Sequence, residues 1–128
     1  MTGYRSSQGE MYRQLRSMLE RDGVQVGGGA GYPRVELHSF VEQPPQDKDG
    51  RLREMTVVME SISASSYGEA VEMNSENLTR VAWREPETES FLVIGIAPDT
   101  LTEMTEQADT QTVLYRQLQT LRIILTEK

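Results

Sequence analysis

The fold turns on the last sixteen residues, "VLYRQLQTLRIILTEK", Val113 to Lys128. Leu114, Leu118, Leu121 and Leu125 stand at helical spacing, close to a heptad. The flanking "TQTV" and "IILT" are β-branched, and Tyr115 adds a further strand former. Periodicity alone leaves helix and strand even. The segment just before it, Thr100 to Gln107 ("TLTEMTEQ"), is threonine-rich and reads as a strand. If Val113–Leu125 is a strand too, Ala108–Thr110 becomes the turn of a hairpin.

Working back from there, Pro98-Asp99 interrupts a short apolar run, Phe91 to Ala97 ("FLVIGIA"). That run suits a buried strand, with a packed continuation of the helical region as the alternative. "REPETES", Arg84 to Ser90, is a polar loop. Its glutamates, Glu85, Glu87 and Glu89, suit a solvated surface better than a pair of catalytic acids. Trp83, flanked by Arg84, fits either a partner anchor or a core cap, and the core reading is preferred. Ser66 to Val81 has Tyr67, Ala70, Val71, Asn74, Leu78 and Val81 at helical spacing, with Ser66 and Glu69 placed for a capping box.

Two further runs make a hairpin. Arg34 to Gln43 alternates through Val35, Leu37, Ser39 and Val41. Arg51 to Ser63 sets Met55, Val57 and Met59 on one face against Val58 and Ile62 on the other. "PPQDKDG", Pro44 to Gly50, is the turn between them. At the start of the chain, Gln8 to Asp22 is an amphipathic helix through Met11, Tyr12, Leu15, Met18 and Leu19. Ser7 and Glu10 suit a capping box there, and Gly23 a C-terminal stop. Arg13, Arg16 and Arg21 read as its solvated face. Val24–Val26 is placed as a short strand.

The glycine run in "VGGGAGYP", Val26 to Pro33, raises the question of a phosphate loop. A Walker loop needs Lys followed by Ser or Thr, and none follows here. A dinucleotide loop must open a helix, whereas "RVELHSF" alternates as a strand. The run is read as a mobile connection, with no cofactor.

Composition narrows the function classes. The chain has 128 residues, a size that suits one domain over 1–128. It has no cysteine, which excludes disulfides, thiol nucleophiles and cysteine metal sites. Asp47, Asp49 and Gly50 hint at a calcium loop, but the spacing is wrong and no closing glutamate follows. No metal is expected. The net charge of -7 argues against nucleic-acid binding through a general basic surface. No apolar stretch is long enough to span a bilayer, and no signal peptide is seen at the start. The seven methionines suit core filling better than a binding groove. His38 is the one histidine. Adjacent strand residues point to opposite faces, so His38 and Ser39 are not expected to pair as base and nucleophile. No catalytic residue is assigned, and the chain is read as a non-enzyme.

The closing stretch "TEQADTQTVLYRQLQTLRIIL", Thr105 to Leu125, resembles the tail terminator (tail completion) proteins of long-tailed bacteriophages. Acidic and threonine residues on the penultimate strand match that family. So do Tyr115-Arg116 and the alternating Leu121 and Ile123 on the last strand. Tyr32-Pro33 before the first long strand fits as well. The resemblance covers most of the chain and implies an α+β fold of order αββαββ. This is a largely antiparallel, four- to five-stranded sheet with two helices packed on one face. It breaks the tie at Val113–Leu125 in favour of a strand. It also implies a structural virion protein, assembled in the bacterial host cytoplasm as a ring, commonly a hexamer. Its partners would be further copies of itself, the tail tube protein, and a head-completion or neck protein. A head-closure or other neck protein, or a small-molecule-binding or enzymatic α+β domain, is the alternative. The resemblance assigns no individual site residue.

Overall fold

In the computed structural model, which describes residues 6–29, 31–43 and 51–128, six elements follow one another. They are α1 (Gln8–Glu20), β1 (Arg34–Glu42), β2 (Leu52–Ser63), α2 (Tyr67–Val81), β3 (Phe91–Gln107) and β4 (Val113–Glu127). The strands form one antiparallel sheet in the order β1-β2-β4-β3. The expected α+β architecture is therefore present, with four strands. Val24–Val26 is not a fifth strand. It makes a single parallel bridge, Val26 to Val35.

Both helices lie on one face of the sheet. Met11, Leu15 and Leu19 of α1 and Val81 of α2 meet Met55, Val57 and Met59 of β2. Val93 and Ile96 of β3 and Leu121, Ile123 and Leu125 of β4 complete that core. These strand positions follow the two-residue alternation of a pleated sheet with one covered face. Leu121, Ile123 and Leu125 are all fully buried, and β4 carries them as a strand hydrogen-bonded on both sides, to β2 and to β3. Packing settles what periodicity left even: a half-buried strand between two neighbours buries alternate residues, and from Gln117 to Leu125 those are the odd-numbered ones. Met11, Met55 and Met59 fill the core, while Met104 is exposed.

The helix ends differ in how they are capped. Ser66 accepts the Glu69 backbone N–H at 3.0 Å, as expected of an N-cap. Ser7 does not cap α1 in this way. Its backbone is already helical, and its hydroxyl donates instead to Glu42 at 2.6 Å. Glu10 likewise turns away and accepts the Ser90 backbone N–H at 2.8 Å. The capping box proposed for α1 is thus replaced by tertiary bonds to β1 and to the segment before β3. Gly23, with φ at 83°, ends α1 in the left-handed region that glycine adopts without a steric penalty.

β3 corrects two expectations. Pro98-Asp99 does not divide it: seventeen residues run as one strand, bent where the register shifts between Pro98 and Leu101. A proline is tolerated on an edge strand because its missing N–H would face away from the neighbour. The run Phe91–Ala97 is also not buried on both faces. Phe91, Val93 and Ile96 are covered, while Leu92 and Ile94 are exposed. The expected turn at Pro44–Gly50, with Asp47 and Asp49, lies outside the described residues.

Candidate functional site

The sheet face opposite the helices carries a chain of polar side chains across all four strands. On β2, Glu60 is 5% exposed, despite standing on this uncovered face. Its Oε1 lies 2.7 Å from Nε2 of His38 on β1, and its Oε2 accepts from Arg116 Nη1 of β4 at 2.6 Å. Arg116 Nη2 then donates to Glu106 of β3 at 3.0 Å. Register explains the chain, since Glu36 pairs with Glu60 and Ile62 with Arg116. Burial works against the Arg116 charge, but the bonds to Glu60 and Glu106 outweigh it and hold its pKa above the usual arginine value.

Ser39 joins this chain through a strand irregularity. The register shifts between His38 and Val41, and Ser39 has φ at 60°. Its hydroxyl therefore comes to 2.8 Å from His38 Nδ1. The alternation rule that separates adjacent side chains does not hold at a bulge, so the expectation that His38 and Ser39 cannot meet is wrong. A carboxylate only accepts hydrogen bonds, so Nε2 donates to Glu60, and the direction of the Nδ1–Ser39 bond follows the protonation of the ring. The order is hydroxyl, imidazole, carboxylate. Ser39 is exposed, and the His38 side chain is 41% exposed, so the group stands on an open sheet surface.

A second ionic group lies on the helix side. Arg53 of β2, 3% exposed, donates to Glu42 of β1 at 3.2 Å and to Glu127 of β4 at 3.0 Å. Its guanidinium also sits 5.3 Å from the centre of the Phe91 ring. Because Glu42 also receives Ser7, this group fastens the start of α1 to the sheet. Its chemistry is structural.

The glycine segment stays outside any helix start. Near it, a depression is lined by Gly23, Arg34 and Arg80, together with Asp22 and Glu76. That mixture of charge does not suit a phosphate. Among the described residues, no group of three or more His, Asp or Glu side chains is placed to hold a metal ion. No helix among them is long and apolar enough to cross a membrane.

Two surfaces stand out. At the far end of the sheet, residues 98–111 are exposed on both faces. This part of β3 has β4 on one side and, among the described residues, no strand on the other. The earlier part of the same edge is covered, since Trp83 N–H donates to the Ile96 carbonyl and Val93 N–H to that of Pro86. At the end of α2, Trp83 is 75% exposed with φ at 62°, so the preferred placement in the core is wrong. The tight turn from α2 to the sheet edge fixes its backbone and aims the indole outward. Glu87 is exposed, as expected of that loop, and pairs with Lys128 at 2.6 Å.

No protein-family model and no curated protein sequence matches the chain. A solved structure does. A chain of "Virion of native gene transfer agent (GTA) particle" superposes with a TM-score of 0.70, covering 94% of this chain and 94% of that one, at 17% identity. The two share a fold over nearly their whole lengths. Identity this low speaks to the fold alone.

Proposed function

We propose that the chain is a structural virion protein of a phage or phage-like particle, and specifically a tail terminator. It would act as a single domain that forms a ring on the last ring of the tail tube. The ring ends polymerisation and presents a docking surface to the head or neck. The observation that carries this reading is the near full-length fold likeness to a chain of a gene transfer agent virion. It agrees in kind with the resemblance carried by Thr105–Leu125. The exposed 98–111 segment and the exposed Trp83 supply the surfaces that assembly requires. The mechanism is complementarity of surfaces. A heterologous contact repeated with the right rotation closes a ring without catalysis. A head-closure or other neck protein is the alternative role, and it would likewise act through complementary surfaces.

The experiment is deletion of the gene from its phage or prophage, followed by electron microscopy. Tails of uncontrolled length with unattached heads are expected. Tails of normal length joined to heads refute the terminator role.

One observation favours a second reading, a hydrolase: the Ser39–His38–Glu60 order. A hydrolase also needs a pocket and donors for the developing oxyanion, and these residues stand on an open surface. Turnover of an activated ester that is abolished by Ser39→Ala would establish that reading.

A further inference from the structure

The helix-facing side of the sheet is apolar under α1 and polar under the first part of α2. Met11, Leu15 and Leu19 of α1 belong to the apolar core, whereas α2 supplies only Val81, with Leu78 packed against it. Ahead of these two, the buried residues of α2 are Ala70, Asn74 and Asn77. The strand residues of β2 and β4 on that side are Ser61, Ser63, Gln117 and Gln119, each at most 3% exposed. Asn74 donates to Gln119 at 3.2 Å and Asn77 to Ser61 at 3.1 Å. The Ser63 hydroxyl donates to Glu69 at 2.5 Å. Side-chain hydrogen bonds thus hold this part of α2 down, where apolar contacts hold α1.

The two kinds of contact respond differently to water. When a helix lifts away, its side-chain hydrogen bonds are exchanged for bonds to water and little is lost, while apolar burial is lost in full. Asn74 Oδ1 is buried with no hydrogen-bond partner among the described residues, so access to water favours opening. Local sequence adds little cohesion, since Gly68, Asn74, Ser75 and Asn77 are all weaker helix formers than alanine. The other end of α2 is built differently. Val81 is fully buried, Arg80 pairs with Asp22 at 3.2 Å, and Trp83 N–H donates to the Ile96 carbonyl at 2.7 Å.

We propose that residues 66–77 form a flap that lifts off the sheet as a unit, hinged near Leu78, while α1 and the four strands stay folded. Opening breaks the three bonds above and releases Glu103 of β3 from Tyr67, which donates to it at 2.8 Å. It uncovers serine and glutamine side chains and no large apolar patch, so the open form stays soluble. The helix-facing side of the β3–β4 hairpin then becomes available for contact. The flap rests on contacts within one chain and does not depend on the terminator role.

The test is native-state hydrogen exchange followed by NMR, with circular dichroism as a check on folding. Amides of residues 71–77 are expected to share one opening and to be protected about a hundredfold less than those of residues 15–19 in α1 and 119–125 in β4. Ile123→Val trims the apolar core, which stays intact in the open form. It is expected to speed exchange in α1 and β4 by about threefold or more and to leave residues 71–77 unchanged. Asn74→Leu with Gln119→Leu replaces the buried amide pair by apolar side chains of similar size. It is expected to slow exchange at 71–77 by about threefold or more. Equal protection of 71–77 and α1, or acceleration of both by Ile123→Val, means that α2 opens only with the whole domain and overturns the flap. Exchange at 71–77 that is unchanged or faster in the folded double-leucine variant overturns the polar strip as its cause.

Discussion

Replacing Glu60 by alanine removes the centre of the cross-strand chain and leaves Arg116 in a place built for two carboxylates. Taking one partner from a buried ion pair costs about 3–5 kcal/mol, because the remaining charge stays desolvated. Two features reduce that figure here. The Arg116 side chain keeps 18% of its exposure, and Glu106 still accepts from it at 3.0 Å. A loss of about 2–3 kcal/mol follows, or about 6–12 °C in melting temperature for a chain this size. Glu60→Gln retains the shape and one acceptor, and the expected loss is about 1–2 kcal/mol. Urea unfolding of the single variants and of the pairs Glu60→Ala/Arg116→Met and Glu60→Ala/His38→Ala measures the couplings. The Arg116 coupling should be about 1.5–3 kcal/mol. The His38 coupling should stay below about 1 kcal/mol, because the imidazole is well exposed to solvent. If Glu60→Ala unfolds within about 0.5 kcal/mol of the wild type, the reasoning is wrong, since that is the range of an ordinary surface substitution. A larger coupling to His38 than to Arg116 would refute it equally.

Three other outcomes are expected. Ser66→Ala should cost about 1 kcal/mol by removing the α2 cap, whereas Ser66→Gly should cost only a few tenths; equal losses in thermal melts would refute the cap. Trp83→Gly should be at least as stable as Trp83→Ala, because glycine accepts the positive φ that alanine strains against; the single tryptophan should also fluoresce as a solvated indole, and a blue-shifted emission would contradict its exposure. Glu10 sits below its ordinary value of 4.5: burial pulls it upward, but the Ser90 backbone bond, aided by Thr88, the Ser90 hydroxyl and Arg13, prevails. Its stabilising contribution is therefore complete above about pH 4.5 and lost as the pH falls through the lower folded-state value. The stability difference between the wild type and Glu10→Gln should shrink across that acidic window, and a difference that grows on acidification would reverse the assignment.

What the sequence determined by itself was four of the six elements, α1, α2, β1 and β2, and most of the face that each one buries. Apolar spacing placed α1, α2, β1 and β2 within two residues of their observed ends. It also gave the Met55, Val57 and Met59 stripe, because burial of one face of a helix or strand writes its period directly into the chain. The cap at Ser66 was legible because it bonds three residues away. Tertiary structure decided everything that depends on partners distant in sequence. Ser7 and Glu10 satisfied the local capping pattern but are bonded to Glu42 and Ser90, thirty-five and eighty residues away. Val113–Glu127 became a strand because β2 and β3 flank it on both sides, and no window of its own residues contains those neighbours. The meeting of His38 with Ser39 depended on a bulge, and their joining to Glu60 and Arg116 on register, which pattern reading does not reach. Trp83 looked like core by composition, but solvent exposure is a property of the assembled surface. The turn out of α2, bound to the Ile96 carbonyl, points it away from the sheet.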